Sequence, residues 1–94
     1  MKAQRMYTVE VFTVVNNIIT GEVCSDVNVY AQNPVDAIVI TMRKNGYNIN
    51  RNEVTKKLIL IGVEAKVCLL GGTRESVSYY NIVSDKLRGI KYDY

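Results

Sequence analysis

Nine carboxylates, twelve Lys or Arg side chains, two cysteines and seven tyrosines are the groups with which this chain could do chemistry, and histidine is absent. Without histidine neither a Ser-His-Asp nor a Cys-His arrangement can be assembled, and the side chain best suited to moving protons near neutral pH is missing. The carboxylates are scattered from Glu10 to Asp93, and no two make a sequence motif for acid–base work. Cys24 and Cys68 have neither a second cysteine nor a histidine at ligand spacing. Structural zinc typically takes four such ligands. The expectation is a protein that is not an enzyme and holds no metal or cofactor.

Each cysteine lies in an apolar stretch with strand character, where a free thiol behaves as a small hydrophobe. One disulfide between two strands is the alternative. The absence of an export signal favours free thiols.

Gly71-Gly72-Thr73-Arg74-Glu75-Ser76 has the look of a phosphate-binding loop. It lacks the Gly-Lys-Ser/Thr element and precedes a strand, so no helix dipole would face a phosphate. A hairpin turn is the better reading.

Tyrosine is the unusual component, with no Trp and one Phe beside it. Tyr79, Tyr80, Tyr92 and Tyr94 fall in the last sixteen residues, interleaved with Lys86, Arg88 and Lys91. Aromatic and basic residues on a sheet can stack bases and hold phosphates. The same composition suits a protein interface, where Tyr offers amphipathic contact area and Arg is enriched. Tyrosines can also simply pack along a sheet margin with wet hydroxyls. These seven residues are the candidate interface or nucleic-acid residues.

Charge adds one asymmetry. Residues 1–50 carry four basic and four acidic side chains, whereas residues 51–94 carry eight and five, so the whole net charge of +3 lies in the second half. That imbalance fits an anionic partner or an ordinary soluble surface, and no run of five like charges occurs.

The elements that must position these residues can be read from periodicity. At 94 residues the chain has material for a single core, and a single domain over 1–94 is expected. Tyr7 to Val15 is dense in β-branched residues and reads as a strand with apolar residues on both faces. Two turn sites follow, Asn16-Asn17 and Thr20-Gly21. The second gives the better apolar match, and a strand from Glu22 to Ala31 then points Val23, Val27, Val29 and Ala31 inward.

A helix is expected next. Asn33 is a favoured N-cap, Pro34 suits the first helical position, and Asp36 faces the positive end of the dipole. Val35, Ile38, Val39 and Met42 form one apolar stripe, widened by Ala37 and Ile40. Arg43 and Lys44 fill the last turn, and Gly46 closes it. Tyr47 to Glu53 is a polar connector that carries Ile49 inward. Residues 57–70 read as one long strand bent at Gly62 or as two strands divided there, since ~5–6 residues is the usual length. Gly71-Gly72-Thr73 turns into a strand from Glu75 to Val83. Ser84 caps a helical turn ending at Gly89, and Ile90, Tyr92 and Tyr94 alternate as a short closing strand or an arm.

The expected fold class is therefore α+β: a mainly antiparallel sheet with one helix on a face, in the order β-β-α-β-β(-β). Residues 1–5 and 90–94 are expected to be ragged or arm-like. One helix leaves apolar sheet surface over, which self-association as a homodimer would cover. No apolar run approaches the ~18 residues of a membrane span, and no apolar segment follows the basic N-terminus, so a cytoplasmic protein away from membranes is expected. The abundance of Asn, Ile, Lys and Tyr suggests an AT-rich genome and a small viral or mobile-element accessory protein. The leading functional expectation is a non-enzymatic binding protein, such as an inhibitor, working through protein contacts. The alternatives are a nucleic-acid binder using the Tyr-rich tail, and a small-ligand or nucleotide binder in a dimer cleft.

Overall fold

The computed structural model describes residues 3–71 and 76–92. It contains one antiparallel sheet of five strands with a single α-helix packed on it, the expected α+β class. The strands are β1 (Arg5–Val15), β2 (Ile18–Ala31), β3 (Val54–Thr55), β4 (Ile61–Leu69) and β5 (Val77–Ile82). They lie in the spatial order β2-β1-β4-β5-β3. The helix α1 (Pro34–Lys44) falls between β2 and β3 in the chain. The short additional strand thus precedes β4, and Ile90–Tyr92 takes no strand conformation.

The first hairpin turns at Asn16-Asn17 and not at Thr20-Gly21. Both asparagines have positive φ, 50° and 67°, the geometry of a type I′ turn, whose twist matches that of the flanking strands. The register follows from bulges that an alternation count cannot foresee. β2 has 14 residues against 11 in β1, and its register shifts opposite Tyr7/Val9, Val11/Phe12 and Thr13/Val14. At the first shift Val27 and Asn28 together face Thr8, with Asn28 at φ 58°. Each such extra residue reverses the inside–outside alternation. Val27 is consequently exposed where the sequence pointed it inward, while Cys24, Val29 and Ala31 are buried.

The helix forms as its sequence dictates. Asn33 caps it, its Oδ1 accepting from the Asp36 N–H at 2.9 Å while its Nδ2 donates to the Asp36 carboxylate at 3.2 Å. Gly46, at φ 92°, ends it. Ala37, Ile38, Val39 and Met42 are buried as expected, but Ile40 is exposed and Thr41 takes its place inside. The Thr41 hydroxyl satisfies itself by donating to the Ala37 carbonyl at 2.9 Å, so its burial carries no unpaired donor.

The core lies between α1 and one face of the sheet. Tyr7, Val9 and Val11 of β1, Val63, Ala65 and Val67 of β4, and Tyr80 and Ile82 of β5 meet Ile38 and Met42 there. Beyond the helix the layer is continued by Ile49, from the connector, and by Leu87, from a 3₁₀ turn at Asp85–Leu87. Ile49 is fully buried, the inward anchor its surroundings predicted. Arg5 pairs with Ala31, and Ile90 packs against the core.

Residues 57–60 are not strand. β1 ends at Val15 opposite Ile61, where the chain turns away at Asn16, so the β1–β4 ladder stops there. On the other side β5 reaches only Val63. The segment instead folds back over the face opposite the helix. There Asn81 Nδ2 donates to the Lys57 carbonyl, and Ile59 sits over Gly62 so closely that a Cβ there would collide with its Cδ1. Gly62 is therefore neither a bend nor a bulge. It is a glycine because a side chain crosses it. The strand expected from Glu75 to Val83 is described from Val77 to Ile82, and Gly72, Thr73 and Glu75 lie outside the described residues.

Candidate functional site

The Tyr-rich, basic stretch that is continuous in sequence is divided in space. Tyr79 and Tyr80 are neighbours in a strand and so point to opposite faces. Tyr79 stands on the open face beside Lys66, 54% exposed, whereas Tyr80 is 9% exposed within the core. The Lys56 ammonium lies 5.2 Å from the centroid of the Tyr80 ring, a cation–π contact on its outer side. Lys86 is engaged with Glu53, Nζ to Oε1 at 3.3 Å. Arg88 and Tyr92 come together at the rim of a groove of about 550 Å³ floored by Ile61, Ile82 and Ile90. Lys91 is exposed nearby in the chain, and Tyr94 lies outside the described residues. Of the seven candidates, the structure unites Arg88 and Tyr92.

The Lys86–Glu53 pair borders the groove, and the pairs Lys44–Asp26 and Arg51–Asp36 stand away from it. Glu53 is held below the usual carboxylate range, first by the Ser84 side chain, then by the Asn50 N–H and by Lys86. Asp26 is lowered chiefly by its hydrogen bond from Lys44, at 3.0 Å. Arg51 pairs with Asp36 at 2.8 Å beside the helix N-terminus. These are exposed pairs that fix loops against the helix and sheet.

Both cysteines are free thiols. Burial, with Glu22 and Asp26 adding to it, pushes the Cys24 thiol up to about 11. A nucleophilic cysteine needs the opposite shift. Among the described residues no three His, Cys, Asp or Glu side chains converge to hold a metal ion. No described helix is long and apolar enough to cross a membrane.

The most distinctive surface is one the residue types did not single out. At the turn end of the first hairpin two adjacent cross-strand rows run Ile18–Val15–Ile61 and Ile19–Val14–Gly62. Residues directly opposite each other share a face, and adjacent rows use opposite faces. Both faces of the sheet are therefore apolar at this end. Val14 and Val15 are buried, yet Ile18 and Ile61 are 65% and 55% exposed, and Ile19 and Leu60 are comparably open. The rows are tied together where the Asn16 N–H donates to the Leu60 carbonyl at 2.6 Å. Leu58, in the folded-back segment, is 78% exposed.

A signal for this surface does exist in the sequence. No charged residue occurs between Glu10 and Glu22, nor between Lys57 and Glu64. The fold brings those two uncharged stretches to one end of the sheet.

No family model matches this chain, and neither a curated protein nor a solved structure similar to it was found.

Proposed function

We propose that this protein is a small, non-enzymatic accessory protein that works through protein contacts, and that its contact surface is the apolar end of the sheet. One observation carries the reading: Ile18 and Ile61 on one face of the last rows, Ile19 on the other, and Leu60 just before β4 are all more than half exposed. Single exposed aliphatic residues are ordinary, whereas a contiguous group is the mark of an interaction site. The dispersal of the tyrosines and the pairing of Lys86 move weight away from the C-terminal stretch.

The reading is tested by recovery of the tagged protein from its native host, with mass spectrometry and a nucleic-acid stain as readouts. A protein partner should be retained by the wild type and lost with Leu60→Glu, while Arg88→Ala and Tyr92→Ala leave it in place. Retention of nucleic acid that falls steeply with salt, and disappears with Arg88→Ala, would instead place the function on the basic tail.

A further inference from the structure

We propose that the outer edge of β5, at Val77–Tyr79, takes up an extended, acidic segment of a partner protein as an added strand. This edge is separate from the apolar end of the sheet, and the proposal stands without it.

The backbone supplies the first argument. In an antiparallel ladder successive residues turn their N–H and C=O groups to opposite sides. The Leu69 N–H donates to the Ser76 carbonyl on one side of β5, and the Val83 N–H donates to the Glu53 carbonyl on the other. β5 has no register shift against β4. Ser78, Tyr80 and Ile82 therefore turn their backbone groups to β4, whereas Val77, Tyr79 and Asn81 turn theirs outward. Thr55 of β3 meets Asn81. Position 57 would come next, opposite Tyr79, but the chain has left the edge there. The Lys57 carbonyl instead accepts from the Asn81 side chain over the open face. Among the described residues nothing takes that missing place, and the N–H and C=O groups of Val77 and Tyr79 face outward in line with β3.

The opposite edge of the sheet does not offer the same opportunity. β2 carries three register shifts that leave no regular run longer than Val29–Ala31 or Cys24–Asp26. Bulges of this kind blunt an edge against strand addition. On β5 the edge is regular, and the side chains of Val77 and Tyr79 are 43% and 54% exposed, so an added strand also covers apolar surface.

Charge selects the occupant. The Lys56 ammonium rests 5.2 Å from the centroid of the Tyr80 ring, Lys66 stands directly opposite Tyr79, and Lys57 is exposed where the chain leaves the edge. The ion pairs among the described residues engage none of these lysines. Glu64 stands opposite Asn81, where β3 already pairs, and Glu10 lies one strand farther in, beyond Lys66. Carboxylates on an incoming segment complement this border. A second copy adding its own β5 would set like charges beside each other. A nucleic acid would meet outward C=O groups, for which its phosphates have no donor. An extended peptide offers donors and acceptors together.

The test titrates a labelled octapeptide of alternating Val and Glu into the full chain at low salt, read by anisotropy and by amide exchange in NMR. On binding, exchange at the Val77 and Tyr79 amides should slow about 10-fold or more, while Ser78 and Tyr80, already paired with β4, stay within about twofold. N-methylation of the peptide at alternate nitrogens should abolish binding in one of the two frames, because it removes the donors that face β5. Lys56→Gln with Lys66→Gln should weaken binding roughly 3–10-fold, as loss of exposed ion pairs does, with the thermal midpoint confirming a folded protein. Ile61→Glu, at the apolar end, should leave binding within about twofold, as substitutions outside a contact do. Binding that survives methylation in both frames, slowed exchange only elsewhere, or no binding at millimolar peptide overturns the proposal. So does a chain that ignores the peptide and binds single-stranded oligothymidylate, or one that protects Val77 and Tyr79 by self-association alone.

Discussion

Ile18 and Ile61 occupy one cross-strand row with Val15 between them, and both keep more than half of their surface in solvent while Val15 is buried. The valine is covered and its two neighbours are not. That contrast locates the boundary of the buried layer, which includes Val15 in the middle of the last row and stops short of Ile18 and Ile61 at its two ends.

The turn that creates this row makes a direct prediction. Asn16 and Asn17 hold positive φ, which Asn tolerates and Gly adopts without cost. Asn17→Gly should leave stability unchanged or raise it, by up to about 0.5 kcal/mol, whereas Asn17→Val should lower it by about 1–2 kcal/mol. Urea unfolding of the three proteins measures the difference. Equal loss in both variants would mean that the turn lies elsewhere.

Gly62 and Ile59 form a second testable pair. A Cβ at position 62 displaces the Ile59 side chain from the open face. Gly62→Ala should therefore cost up to about 1 kcal/mol, since the Ile59 side chain can swing aside at its free end and the loss of a glycine within a strand offsets part of the overpacking. In an Ile59→Ala background the same substitution should cost distinctly less, because the obstructing atom is gone. Additive effects in this double-mutant cycle would contradict the contact.

The pH dependence of stability follows from Cys24, whose thiol rises from its ordinary 9.0 to about 11 on folding. The unfolded chain then releases this proton at lower pH than the native protein does. The contribution is complete below pH 9.0 and is lost as the pH rises through about 11. Cys24→Ala or Cys24→Val should flatten that alkaline decline in thermal midpoint. In the native protein at mildly alkaline pH, iodoacetamide should modify the half-buried Cys68 before Cys24. Modification of Cys24 first would show that its surroundings are open.

How far the fold could be read in advance depended on how local its causes were. The helix was legible because the Asn33 cap, Pro34, Asp36, the Ile38–Met42 stripe and Gly46 all act within a few residues of one another. Ile49 stood out as the lone apolar side chain in a polar connector. The first hairpin was misread because three bulges break the period of two, and nothing in Val27 or Asn28 alone announces one. Leu58–Leu60 looked like strand by composition. Whether it is strand depends on where β1 and β5 stop, which is a tertiary fact. The tyrosine-rich stretch misled for a different reason: Tyr79 and Tyr80 are adjacent in sequence and on opposite faces of a sheet.

The most direct test of the contact surface is hydrogen exchange by mass spectrometry, comparing the protein diluted and alone with the protein in its associated state, self-associated or partner-bound. Protection should appear in peptides spanning residues 13–21 and 57–63, and should be absent from residues 84–92. Protection confined to residues 84–92, with the hairpin end unchanged, would contradict the account.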